Sequence, residues 1–328
     1  MRLLRSPSQK TNLVFKVLLS LVALLALGGC ISLPQTEALR ESGHAGLPVR
    51  AELVDVLYYP QEDLMCGPTS LAMALNAVGI DASVPSLTEQ VYLPGRKGSL
   101  QIEMLAATRR NGALAYQLAP ELRAVLQEVG AGTPVVALLN LSGIKLWPIW
   151  HYAVVVGYDL EREKVILRSG PDPRRVTDLG FFEFLWKDGG YWAMAAVPPD
   201  RVPATAREQP YAAAAAALEP VGRRAAGKSY RALLSRWPEN LVGLVGLGNV
   251  EYAEGDLAAA EAAFRRAVAA HPESAVPLNN LAQTLADLGR LEEAETAARA
   301  AVALGGATLP AAQSTLAQIV EKRSKAKP

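Results

Sequence analysis

Apolar residues along the chain change texture three times. Residues 17–29 form an apolar run behind a basic, polar start. From Ala51 to about Pro199 short aliphatic runs alternate with Gly, Pro and charged turns; beyond Pro210 the text turns alanine-rich with helical spacing. In the middle section, 3.6-residue periodicity predicts helices over 68–78, 99–110 and 120–129. Aliphatic, β-branched runs at 133–140, 151–159, 164–169 and 191–197 predict strands. Helices come first and consecutive strands after, the order of an α+β domain with an antiparallel sheet. Residues 201–210, polar with two prolines, read as a linker, and residues 36–49 as a polar tether.

The last third repeats with an offset of 34 residues. Leu244 matches Leu278, Leu247 matches Leu281, Gly255 matches Gly289, and Leu257, Ala260, Ala263, Ala267 and Val268 each find their counterpart. Tyr230 precedes Phe264, and Pro238 precedes Pro272, by the same step. This pattern resembles the tetratricopeptide repeat: helix, turn at Gly-Asp or Gly-Arg, helix, then proline. Tyr252 departs from it by one position, with Glu251 in its place. Two repeats are clear; residues 210–240 form a degenerate one, and 309–322 a capping helix.

Half the residues are apolar and 20% charged, which excludes a disordered chain. Lys+Arg 33 against Asp+Glu 32 gives no overall attraction to nucleic acid. The charge is uneven, however: Arg2, Arg5, Lys10 and Lys16 precede the apolar run with no acid among the first 30 residues. As a helix those 13 apolar residues would be about 20 Å long, too short for a bilayer core of about 30 Å. A signal peptide fits better. The run ends Leu27-Gly28-Gly29-Cys30, which resembles the lipobox of bacterial lipoproteins. The resemblance implies cleavage before Cys30 and acylation of its thiol. With Ile31 and Ser32 following, and no aspartate, it implies an outer-membrane lipoprotein facing the periplasm, held on the membrane by the anchor at Cys30.

Two cysteines exclude a disulfide scaffold, a four-cysteine zinc site and an iron–sulfur cluster, and three histidines exclude a histidine-rich metal centre. No metal or cofactor is called for. With Cys30 taken, Cys66 is the remaining thiol, at the predicted start of a helix opened by Gly67 and Pro68. A helix N-terminus stabilises a thiolate and offers free N–H groups to an oxyanion. A thiolate needs a base. His44 lies in the tether and His271 at the end of a repeat helix, leaving His151 at the start of the strongest strand.

Together, Gln61, Cys66-Gly67-Pro68-Thr69-Ser70 and, 85 residues after the cysteine, His151-Tyr152-Ala153-Val154 resemble the papain-like bacteriocin-processing (double-glycine) peptidase family. The stretch from Pro94 to Gln101 fits its extracytoplasmic members. The resemblance implies Cys66 as nucleophile, His151 as general base and Gln61 as oxyanion donor. Relatives orient the imidazole with an aspartate at the end of the next strand. Alignment on that strand puts Ser169 there; counting across the hairpin brings Asp172 opposite His151, and Asp172 is the residue favoured. Ser169 or a backbone carbonyl are the alternatives.

The expected architecture is an α+β papain-like cysteine peptidase domain (51–200), then a linker (201–210) and an all-α tetratricopeptide-repeat solenoid (211–328), behind a signal peptide (1–29) and a lipidated tether (30–50). The expected function is a lipid-anchored cysteine peptidase acting on a peptide or protein substrate, with the repeats recruiting a substrate or partner protein. The alternative is a non-catalytic scaffold that grips a peptide in the same cleft.

Overall fold

A computed structural model describes residues 33–60 and 64–326. The signal-peptide and Cys30 readings, and Gln61, lie outside the described residues. Among the described residues no helix is long and apolar enough to cross a membrane.

The strands are β1 (Arg50–Glu52), β2 (Leu114–Gln117), β3 (Val135–Asn140), β4 (Trp150–Asp159), β5 (Lys164–Ser169), β6 (Asp172–Asp178) and β7 (Ala193–Val197). They form one sheet in the order β2-β7-β3-β4-β5-β6, with β1 also paired to β4. Every pairing is antiparallel, as the run of consecutive strands predicts. The central strands β3 and β7 are buried along their whole length, because helices cover both faces. Hence they read as continuous apolar runs rather than alternating ones. The short β1 and β2 and the polar β6 carry too little apolar signal to be legible beforehand.

One face takes α2 (Cys66–Ala77), α3 (Val84–Val91) and α4 (Gln101–Arg110). Leu71, Met73, Leu75, Leu87 and Met104 pack there on Tyr152, Val154 and Val156 of β4. The other face takes α5 (Leu122–Gly130) and α6 (Leu179–Lys187), with Val125, Phe182 and Trp186 against Ala153, Val155 and Leu167. Of these helices α2, α4 and α5 start within two residues of their predicted positions, while α3 and α6 are additional.

Residues 36–49 are not a loose tether. Residues 34–41 form a helix, α1 (Pro34–Glu41), whose Thr36 and Leu39 are buried. The fully buried Glu183 of α6 caps it, accepting from Gln35 N–H at 3.0 Å, Thr36 N–H at 2.7 Å and Thr36 Oγ1 at 2.6 Å. A carboxylate on the free N–H groups of a first turn satisfies donors that otherwise have no partner.

Residues 201–210 are likewise packed rather than free. Thr205 donates from N–H and Oγ1 to Glu128 at 2.7 and 2.6 Å, and Arg201 donates to Thr133 Oγ1 at 2.6 Å. The helices α7 (Glu208–Ala216) and α8 (Arg223–Arg236) then place Tyr211, Ala215, Leu218 and Tyr230 in the same core as β2 and α5. The sheet and the first helical pair therefore share one hydrophobic core.

The remaining helices are α9 (Leu241–Glu254), α10 (Leu257–Ala270), α11 (Ala275–Asp287), α12 (Leu291–Leu304) and α13 (Leu309–Lys325). The offset of 34 reappears in their bounds: Leu241 to Ala275, Leu257 to Leu291, and Ala275 to Leu309. The step extends backwards too, from Leu257 to the Arg223 that opens α8. The turns follow from the sequence: Gly255 ends α9 with φ +85°, and Asp256 caps α10 by accepting from Ala259 N–H. Helices cross closely at Gly246 and Gly248, where an added Cβ would lie 2.2 Å from Tyr230 Cζ and 2.4 Å from Phe264 Cε1.

Candidate active site

Cys66 is the first residue of α2, as the Gly-Pro step predicts, and is half-buried. Among the described residues no side chain caps this helix. Gly67 is there for room: an added Cβ would sit 2.3 Å from Ser99 Oγ. Ser99 belongs to the stretch that follows the turn Pro94–Arg96, and its hydroxyl is buried with no hydrogen-bond partner among the described residues. Ser99 thus brings an uncommitted hydroxyl against the residue after Cys66, a placement the sequence did not reveal. Ser70 Oγ donates to Tyr152 O at 3.1 Å and ties the first turn of α2 to β4.

This tie brings the thiol to the start of β4. Burial pushes the Cys66 thiol above its usual range, and the backbone N–H groups of Tyr152, Gly67 and Cys66 itself pull it partly back. Amides that converge on a sulfur in this way would also stabilise an oxyanion beside it. Tyr152 is the neighbour of His151, so the structure brings Cys66 and His151 to one end of the sheet. Among the described residues no hydrogen bond joins the two. Alternation along β4 explains the gap: Tyr152 faces α2, while His151 shares the pleat of Ala153 and Val155.

On that pleat His151 Nε2 lies 2.9 Å from Ser169 Oγ. The β4–β5 register pairs Val154 with Arg168, which sets Ser169 against Ala153, diagonal to His151. Asp172, the residue favoured from hairpin counting, does not take this place. It is exposed at the start of β6, in register with Ser169, and accepts from Arg174 N–H at 2.9 Å. The end of β5 decides this: the strand stops at Ser169 and the chain turns back into β6, which pairs Asp172 with Ser169 on the side away from β4. A bulge between Val155 and Gly157 also shifts the β4–β5 pairing that simple counting assumes by one residue. Arg168, buried beneath the β5–β6 turn, donates to Pro173 O and holds that turn in place.

The hydroxyl brings no charge to the imidazole. Burial, and secondarily the cation of Arg175, hold the pKa of His151 down to about 4. At neutral pH the resting pair is therefore a thiol and a neutral imidazole. Nε2 is engaged by Ser169, and Nδ1 has no hydrogen-bond partner among the described residues.

Residues 53–187 match the model of the Peptidase_C39 like family, and residues 211–275 and 245–308 match that of the tetratricopeptide repeat. No curated protein matches the chain. Among solved structures, one described as a C39-like peptidase from Bacillus anthracis is 20% identical, covers 45% of this chain and 97% of its own, and superposes with TM-score 0.39. The peptidase domain of Streptococcus ComA, a bifunctional ABC transporter involved in a quorum-sensing pathway, is 22% identical over 44% of this chain and 98% of its own, with TM-score 0.36. The chain carries a Peptidase_C39-like domain followed by tetratricopeptide repeats.

Proposed function

We propose that the chain is a cysteine peptidase, anchored by acyl chains at Cys30 on the periplasmic side of a bacterial outer membrane. The observation that carries the catalytic reading is Cys66 at a helix start, its sulfur met by the amide of Tyr152 next to His151. In the reaction Cys66 Sγ adds to the peptide carbonyl carbon while its proton passes to His151 Nδ1. The N–H groups around Cys66, with Gln61 as the family resemblance implies, stabilise the oxyanion. Collapse of that intermediate breaks the C–N bond, and His151 returns the proton to the leaving amine. Water then hydrolyses the thioester. The repeats recruit a substrate or partner protein on their curved face.

The resting state of the site supports a second reading. A serine in place of an acid, and a cation near the ring, favour a cleft that holds a peptide without cutting it. Cys66→Ala separates the two. The peptidase reading expects Cys66→Ala to abolish hydrolysis of peptides that the wild-type protein cleaves, with an unchanged circular dichroism spectrum. Retained cleavage in that variant, or no cleavage by the wild-type protein of any peptide it binds, overturns it.

A further inference from the structure

The hairpin loop that delivers β4 to the site exposes an apolar surface. Between Leu141 and Trp150, six large apolar side chains are exposed, among them Leu146 at 81%, Trp147 at 73% and Ile149 at 60%. Such a cluster on a loose loop would fold inward. Here the loop is held open by Asn140, which is completely buried. Its Oδ1 accepts from Ser142 Oγ at 2.8 Å and Ile149 N–H at 3.0 Å, and its Nδ2 donates to Asp188 Oδ2 at 3.0 Å and Ile144 O at 3.3 Å. A polar pin under a fixed loop keeps the apolar tips in solvent, where they have a free-energy cost unless something covers them.

The patch continues toward the N-terminus of the described chain. Phe184 packs on Gly143, where an added Cβ would come within 2.6 Å of its ring. Phe181, itself exposed, stacks on Phe184 with ring centroids 6.2 Å apart. Leu33 packs on Gly180 at the other end of the same helix, with 2.9 Å from its Cδ1 to the Cβ position. Leu33 is three residues after Cys30, a span of about 10 Å at full extension. Because Glu183 clamps α1 to the body, there is no slack beyond that span. The chain therefore leaves the body beside its own exposed apolar face. Two cations border it: Lys145 within the loop and Lys187, whose Nζ sits 5.0 Å from the Phe184 ring centre.

We propose that residues 141–150 with Phe181 and Phe184 form a bilayer-docking face, with Trp147 and Leu146 in the interface and Lys145 and Lys187 at acidic headgroups. The choice of occupant rests on the anchor reading at Cys30 and on the residue types. Tryptophan at a tip, aliphatic neighbours and flanking lysines are what a membrane–water interface accommodates. The acyl anchor alone would leave the body free to swivel; this second contact fixes its orientation. Trp150 shares the pleat of Tyr152, whose amide meets Cys66, so the docking face borders the Cys66 site and brings it to membrane-associated polypeptides.

The full chain, purified from membranes in detergent, is reconstituted into phosphatidylethanolamine–phosphatidylglycerol vesicles with and without brominated acyl chains, and tryptophan emission is recorded. Bromine should quench the wild-type protein, and Trp147→Phe, at an exposed position, should lose most of that quenching. Lys145→Glu with Lys187→Glu should reduce it further on acidic vesicles than on phosphatidylcholine. Equal quenching of wild type and Trp147→Phe overturns the proposal, as does shielding of Trp147 only when a peptide substrate is added. Mass spectrometry of the N-terminal peptide reads acylation of Cys30 separately. Quenching without acylation leaves the docking face standing and removes the anchor; acylation without quenching does the reverse.

Discussion

His151 and Ser169 meet across β4 and β5 at 2.9 Å, so a neutral hydroxyl occupies the position from which a carboxylate would stabilise an imidazolium. With the thiol raised by burial and the imidazole held near 4, the thiolate–imidazolium pair is disfavoured at rest. Alkylation of Cys66 by iodoacetamide should therefore be slow at neutral pH and climb through the alkaline range. Ser169→Asp should restore the charge and speed alkylation at neutral pH by roughly tenfold for each unit the thiol pKa falls. Identical pH profiles for the two proteins would count against Ser169 as the group that sets the imidazole.

The same histidine ties stability to pH. Its folded pKa, about 4, lies below the ordinary 6.5, so as pH falls the unfolded chain takes up the proton first. Its contribution is fully present above 6.5 and is lost as pH drops toward 4, on the order of 3 kcal/mol in all. Urea midpoints at pH 7 and pH 4.5 should converge in His151→Gln relative to wild type. An undiminished difference in the variant would show that other groups carry the acid sensitivity.

Removal of the repeats should damage the sheet domain. Tyr211 is fully buried and packs on Tyr116 of β2 with ring centroids 6.5 Å apart, and Tyr230 lies in the same core. Loss of one such aromatic costs about 3–5 kcal/mol, and truncation after Pro210 removes both with Leu218. That truncated chain should show a large drop in melting temperature by circular dichroism. A wild-type midpoint would mean that the sheet domain closes its core alone.

Inside the array, Gly246 and Tyr230 fit one another too closely for a methyl group. Gly246→Ala should destabilise by about 1–3 kcal/mol through overpacking, against a helix-propensity gain of about 1 kcal/mol. The same change on a Tyr230→Leu background should be close to neutral or stabilising, a coupling that a thermodynamic cycle measures directly. Additive effects would place the clash elsewhere.

Local signals were legible without coordinates. The Gly67-Pro68 step marks a helix start, and α2 begins at Cys66. The 34-residue offset, with Gly255 and Asp256 as its turn, sets the bounds of four successive helices because each repeat carries its own stop and start chemistry. Elimination among three histidines led to His151, the neighbour of the Tyr152 whose amide meets the thiol. What depended on the third dimension was of another kind. Ser169 rather than Asp172 reaches His151 because β5 ends at Ser169 and the chain turns into β6, on the side of β5 away from β4, a turn that a residue count does not show. Glu183 caps a helix that begins 149 residues earlier, so residues 36–41 look like a polar tether until α6 is folded beside them. The apolar residues of 141–150 are held in solvent by one buried asparagine, Asn140. Short-range chemistry is written in neighbouring residues; which distant side chain satisfies a buried donor, or which apolar run stays uncovered, is decided only when the whole core closes.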